Sequence, residues 1–182
     1  MEPSVRAGSR REFLGFLAAG QVLTEKNKVA LGGKAEEAIA RAASLGRDYT
    51  RQYNNCTQAV IAALQDAIEF VPKSGDFFLA GSCLHGGATT TGNANCGGFT
   101  GAGIVIGGLC GPTREQASDP TTMKLSTALL QQVAAKFEET YGSVICKDVR
   151  RAKAKEKCEE VMARAAAWAA EVILKQFTKG GV

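Results

Sequence analysis

Six cysteines, Cys56, Cys83, Cys96, Cys110, Cys146 and Cys158, are the residues of this 182-residue chain best suited to chemistry. No two of them form C-x-x-C, so thioredoxin-like exchange, paired zinc knuckles and c-type haem attachment lack their local signature. The single histidine, His85, excludes a two-histidine Rieske site within the chain. It stands in a Gly/Thr loop with no nucleophile elbow in view, which leaves a Ser/His/Asp triad without support.

Four of the cysteines share a kind of position. Cys56 follows Asn54-Asn55 at an expected helix start, and Cys96 follows Asn95 at the start of a glycine-studded apolar stretch. Cys146 lies three residues after Ser143, a second capping residue, and Cys158 lies near the beginning of the last expected helix. A helix N-terminus offers unpaired N–H groups and the positive end of a dipole, which favour thiolate over thiol. Thiolates bind metals or attack disulfides. Four such ends converging would suit an anionic centre, such as a 2Fe–2S cluster on four thiolates. Cys83 and Cys110 fall at apolar helix ends, where small hydrophobic packing is the expectation.

The elements that must position these residues read as helix and loop. Lys34 to Tyr53 carries Ala38, Ile39, Ala42 and Leu45 on one face at helical spacing. Asn54-Asn55 supplies a cap for Cys56 to Phe70, which Pro72 ends. A short segment follows from Asp76 to Cys83, then the loop from Leu84 to Gly92. In Asn93 to Gly111, seven of nineteen residues are glycine. Gly97, Gly101, Gly103, Gly107 and Gly108 each cost a helix about 1 kcal/mol against alanine. Their recurrence at spacings of four predicts a central helix with neighbours packed unusually close. Thr121 to Tyr141 is amphipathic, with Leu125, Leu129, Val133 and Phe137 four apart and Gly142 as its stop. Val144 to Arg150 and Ala152 to Phe177 complete the pattern. No alternating strand pattern of useful length and no internal repeat is present. The expectation is all-α: a compact bundle of about five to six helices around the glycine-rich one.

Composition limits the function classes. Apolar residues at 45% and charged residues at 22% describe an ordinary globular chain. A net charge of +4 without a basic, aromatic-interleaved patch gives no case for nucleic acid. The longest central apolar run, Phe99 to Leu109, falls short of the roughly 20 residues that span a bilayer, so no transmembrane segment is expected. Ser9-Arg10-Arg11-Glu12-Phe13-Leu14-Gly15 resembles the twin-arginine export motif, differing at its last position, and an apolar stretch runs on to Leu23. Export to the periplasm is the expectation, with the cytoplasm as the alternative. Residues 1–33 then form a signal or N-terminal segment and residues 34–182 the cysteine-bearing domain.

Several local contexts together resemble the redox-active proteins of the C_GCAxxG_C_C family. They are Asn55-Cys56-Thr57-Gln58-Ala59-Val60, then Cys96-Gly97-Gly98-Phe99-Thr100-Gly101, then the run from Phe137 through Tyr141-Gly142-Ser143 to Cys146, and finally Cys158. Gly98 stands where the motif has alanine. The resemblance spans roughly Ala38 to Leu174 and implies that Cys56, Cys96, Cys146 and Cys158 are the family's four. The non-haem domain of split-Soret cytochromes is similar, and the cofactor it implies is a 2Fe–2S cluster. The expected function is therefore a redox-active, electron-transferring protein, rather than an enzyme with its own organic substrate. A thiol–disulfide protein using the same cysteines and a structural zinc site stay open as alternatives. The redox partner is not specified by the sequence, and a homodimer stays open.

Overall fold

The computed structural model describes residues 28, 29, 34–152 and 157–179. The twin-arginine-like motif and the apolar stretch after it lie outside these residues. Among the described residues the chain forms α1 (Ala35–Tyr53), α2 (Cys56–Ala67), α3 (Gly75–Ala80), α4 (Gly97–Cys110), α5 (Lys124–Tyr141), α6 (Cys146–Ala152) and α7 (Cys158–Phe177). Five are long and two, α3 and α6, are short. Among the described residues, pairing of β type is limited to two isolated bridges, Val29 with Thr178 and Asn95 with Ile145. The all-α expectation is met.

Local chemistry sets the helix ends. Asn54 terminates α1 in the left-handed region at φ 50°, and Asn55 in extended backbone opens α2. The Asn55 side chain accepts from the Thr57 and Gln58 N–H groups at 3.1 and 3.0 Å, satisfying two donors that a helix start leaves unpaired. Gly142, at φ 73°, stops α5 and donates its N–H to Glu138 O. Ser143 Oγ accepts from Ile145 N at 3.0 Å just ahead of α6. Several expected boundaries move. α2 ends at Ala67 rather than Phe70, and α3 at Ala80 rather than Cys83. α5 begins at Lys124 rather than Thr121, α6 runs Cys146–Ala152 rather than from Val144 to Arg150, and α7 begins at Cys158 rather than near Ala152.

The core is shared between α2, α4 and α7. α7 packs on α1, α2, α4 and α5, while α4 packs on α2, α3, α5 and α7. Gly101 brings α4 so close to α2 that an added Cβ would stand 2.7 Å from Thr57 O. At Gly98 it would stand 2.7 Å from Ala165 Cβ of α7. These contacts offset the helical cost of glycine, as its spacing predicts. The expectation fails at Gly107, where a Cβ would meet nothing within 4 Å, although at the next residue, Gly108, it would run into the Phe77 ring of α3. A ring cluster of Phe99, Phe137, Tyr141 and Trp168 locks the start of α4 onto α5 and α7, with Phe137 and Trp168 centroids 5.2 Å apart.

Candidate metal centre

Each of the four cysteines singled out in the sequence stands at a helix start. Cys56, Cys146 and Cys158 are the first residues of α2, α6 and α7, and Cys96 is the N-cap of α4. Their approaches are tied together by backbone hydrogen bonds. Cys96 N donates to Val144 O at 2.7 Å, Cys146 N to Ala94 O at 3.0 Å and Lys147 N to Gly92 O at 2.9 Å, around the Asn95–Ile145 bridge. Cys158 is brought in by the first turn of α7, which is clamped to α1. There Arg47 forms a two-pronged pair with Glu160, both contacts at 2.7 Å, and Arg51 binds Glu159 at 2.7 Å. Cys56 is held by the Asn55 cap, whose Nδ2 also donates to Ser82 O at 3.0 Å.

The sulfurs fall within electrostatic reach of one another. Burial pushes the Cys96 thiol up to about 12; the Gly98 N–H pulls the other way, and Cys56, Cys146 and Cys158 add to the rise. Burial also raises Cys146, with Arg150 opposing and Cys56 and Cys158 adding. Cys158 has the most solvent contact of the four, yet partial burial of its thiol raises it as well; Cys56 and Glu159 add, and Arg150 opposes. Burial and mutual proximity thus outweigh the expected helix-start preference for thiolate in Cys96, Cys146 and Cys158. A metal bound here would have to displace protons. All six cysteines are free thiols. Among the described residues, no three Cys, His, Asp or Glu side chains are gathered closely enough to hold a metal ion as they stand.

The other two cysteines lie apart. Cys110, at the end of α4, has a thiol raised to about 12 by burial alone, and its Sγ donates to Ile106 O at 3.3 Å. Cys83 corrects the packing expectation: it is exposed, because α3 stops three residues before it. His85 faces Ser82 O through Nδ1 at 3.3 Å. A surface groove between Lys34, Arg41, Asp66 and Lys73 lies at the opposite ends of α1 and α2 and is lined by no cysteine.

Two parts of the site escaped the sequence reading. The first is the loop after His85. Gly86, Gly87, Ala88, Thr89 and Thr90 all have positive φ, between 50° and 70°, and form one left-handed turn. For Ala88, Thr89 and Thr90 this costs roughly 1–2 kcal/mol each. The turn is held by Gly92 N donating to Gly86 O at 2.9 Å and Ala94 N to Gly87 O at 3.2 Å. It covers the cysteines: Gly86 N donates to Cys56 Sγ at 3.4 Å, and a Cβ at Gly87 would stand 2.7 Å from Cys146 Cβ. Strained backbone of this kind clusters at functional sites. The only sequence signal for it is the Gly86-Gly87 pair.

The second is Thr57. It is fully buried, and its Oγ1 has no hydrogen-bond partner among the described residues. A Cβ on Gly97 would run into Cys56 Sγ and stand 2.8 Å from this hydroxyl. Glycine at 97 therefore lets α4 start directly against a thiol and an orphaned hydroxyl. Four thiols within electrostatic reach of one another beside it are, by their chemistry, a donor set suited to a thiolate-bound centre.

Fold and site define the class: an all-α protein that assembles four cysteines from four helix starts. A family model described as "Putative redox-active protein (C_GCAxxG_C_C)" matches residues 54–172. The chain belongs to that family. No match is found among curated proteins or among solved structures. No helix among the described residues is long and apolar enough to cross a membrane.

Proposed function

We propose that the protein is an electron carrier whose Cys56, Cys96, Cys146 and Cys158 hold a 2Fe–2S cluster. The observation that carries the reading is that four helix-start thiols lie within electrostatic reach of one another, with Gly97 set directly against the Cys56 sulfur. A 2Fe–2S centre supplies reversible one-electron chemistry and takes four thiolate ligands. The chain's own residues do the rest. The Asn95–Ile145 bridge fixes Cys96 against Cys146, the Arg47–Glu160 and Arg51–Glu159 pairs hold Cys158 in place, and the left-handed turn donates an N–H to the Cys56 sulfur.

The thiol–disulfide alternative gains nothing from the electrostatics, because a raised thiol is a poor nucleophile at neutral pH. Serine at any one of the four cysteines abolishes the visible absorbance and the bound iron of anaerobically loaded protein, whereas serine at Cys83 or Cys110 leaves both intact. Retention of the centre without Cys158, or its loss with Cys110→Ser, contradicts the ligand set. Ser9–Gly15 acts as the export signal in this reading. Arg10→Lys with Arg11→Lys then keeps the protein in the cytoplasm, and unchanged periplasmic delivery refutes that part.

A further inference from the structure

The unpartnered hydroxyl of Thr57 has an orientation fixed by its surroundings. Its methyl group faces the turn after α3, where a Cβ on Gly81 would stand 3.2 Å from Thr57 Cγ2. Its hydroxyl faces Gly97, which lies directly against the Cys56 sulfur. The usual internal escape is closed. A threonine within a helix can bond back to the carbonyl four residues earlier. Thr57 is the second residue of α2, so that carbonyl belongs to Tyr53, the last residue of α1 across the Asn54–Asn55 break. Buried hydroxyls are ordinarily satisfied, and one that is not calls for a partner.

We propose that Thr57 is a positioning residue that donates its Oγ1–H to a sulfur of the bound centre, either Cys56 Sγ or an inorganic sulfide, and so sets the centre's reduction potential. The proposal rests on the iron–sulfur reading above. Reduction adds negative charge to the centre, and a hydrogen bond to sulfur stabilises that charge, which moves the potential to a more positive value. Gly86 N–H approaches the same Cys56 sulfur from the loop side, so the two donors would flank it.

The experiment compares the full chain with Thr57→Val, Thr57→Ala and Thr57→Ser, each loaded with iron and sulfide anaerobically. The midpoint potential is read by a titration followed in visible absorbance and electron paramagnetic resonance. Iron and sulfide contents stay equal across the set. The potential falls in the valine and alanine variants and returns to the parent value in the serine variant. Denaturation of the metal-free proteins gives a second readout: Thr57→Val is at least as stable as the parent, because a buried hydroxyl without a partner has been removed. A potential unchanged in both valine and alanine variants overturns the proposal, as does a shift that serine does not rescue. Failure of the parent chain to take up iron and sulfide overturns the cluster reading itself, and this proposal with it.

Discussion

Cys96 and Cys110 bracket the same helix, and burial pushes both thiols up to about 12. Their company differs. Cys96 stands at the helix start, within reach of three other thiols and tied through its backbone to the approach to Cys146. Cys110 stands at the helix end and gives its proton to a carbonyl of its own helix. The glycines of α4 differ from one another too. Gly97, Gly98 and Gly101 press against neighbouring elements and Gly108 meets the Phe77 ring, while Gly107 faces open space. A buried, perturbed cysteine is thus not in itself a site; several within electrostatic reach of one another are what mark one.

The comparison is broken most severely at Gly97. Gly97→Val drives a side chain into the Cys56 sulfur, so the expected result is loss of most bound iron and visible absorbance after anaerobic loading. The same change at Gly107 leaves loading intact, and equal loading of the two variants would erase the distinction between the two positions. Gly101→Leu overpacks the α4–α2 contact and destabilises the metal-free protein by about 1–3 kcal/mol in chemical denaturation. Asn55→Ala removes the α2 cap and costs roughly 1–2 kcal/mol by the same measurement. Gly107→Ala has the opposite sign: with no clash and better helix propensity, it stabilises by roughly 0.5–1 kcal/mol.

Cys110 gives the finest test. Its thiol holds its proton up to about 12 in the fold, whereas an unfolded cysteine releases it near 8.5. Between those values the unfolded chain binds fewer protons. The stability that this group contributes is therefore complete below about 8.5 and is lost as pH rises towards 12. Iodoacetamide labelling of Cys110 in the native protein should climb about tenfold per pH unit between pH 8 and 10, and exposed Cys83 should label first. A Cys110 rate that levels off below pH 9 would contradict the burial effect.

Much of this arrangement was legible in the sequence because capping chemistry is local. Asn55, Gly142 and Ser143 announce helix ends by side chains or by a tolerated positive φ, and so place Cys56 and Cys146 at starts. Glycines four apart announced close packing, although spacing alone could not separate Gly101, which meets α2, from Gly107, which meets nothing. The run from Ala152 to Lys157 carries no stop signal, so the start of α7 at Cys158 was placed too early. The left-handed turn was hidden for a different reason. Ala88, Thr89 and Thr90 are residue types that avoid positive φ, and only the surrounding hydrogen bonds hold them there. Thr57 was hidden too, since its missing partner is a property of the packed site rather than of the residue.

The central claim is that four helix-start cysteines hold an iron–sulfur centre, and the most direct test is metal and sulfide analysis of the anaerobically purified chain alongside its absorbance spectrum. The account predicts iron and acid-labile sulfide in equal amounts, about two of each per chain, with a brown colour that bleaches on reduction. A colourless protein containing zinc, or one free of metal with its cysteines joined in disulfides, would contradict it.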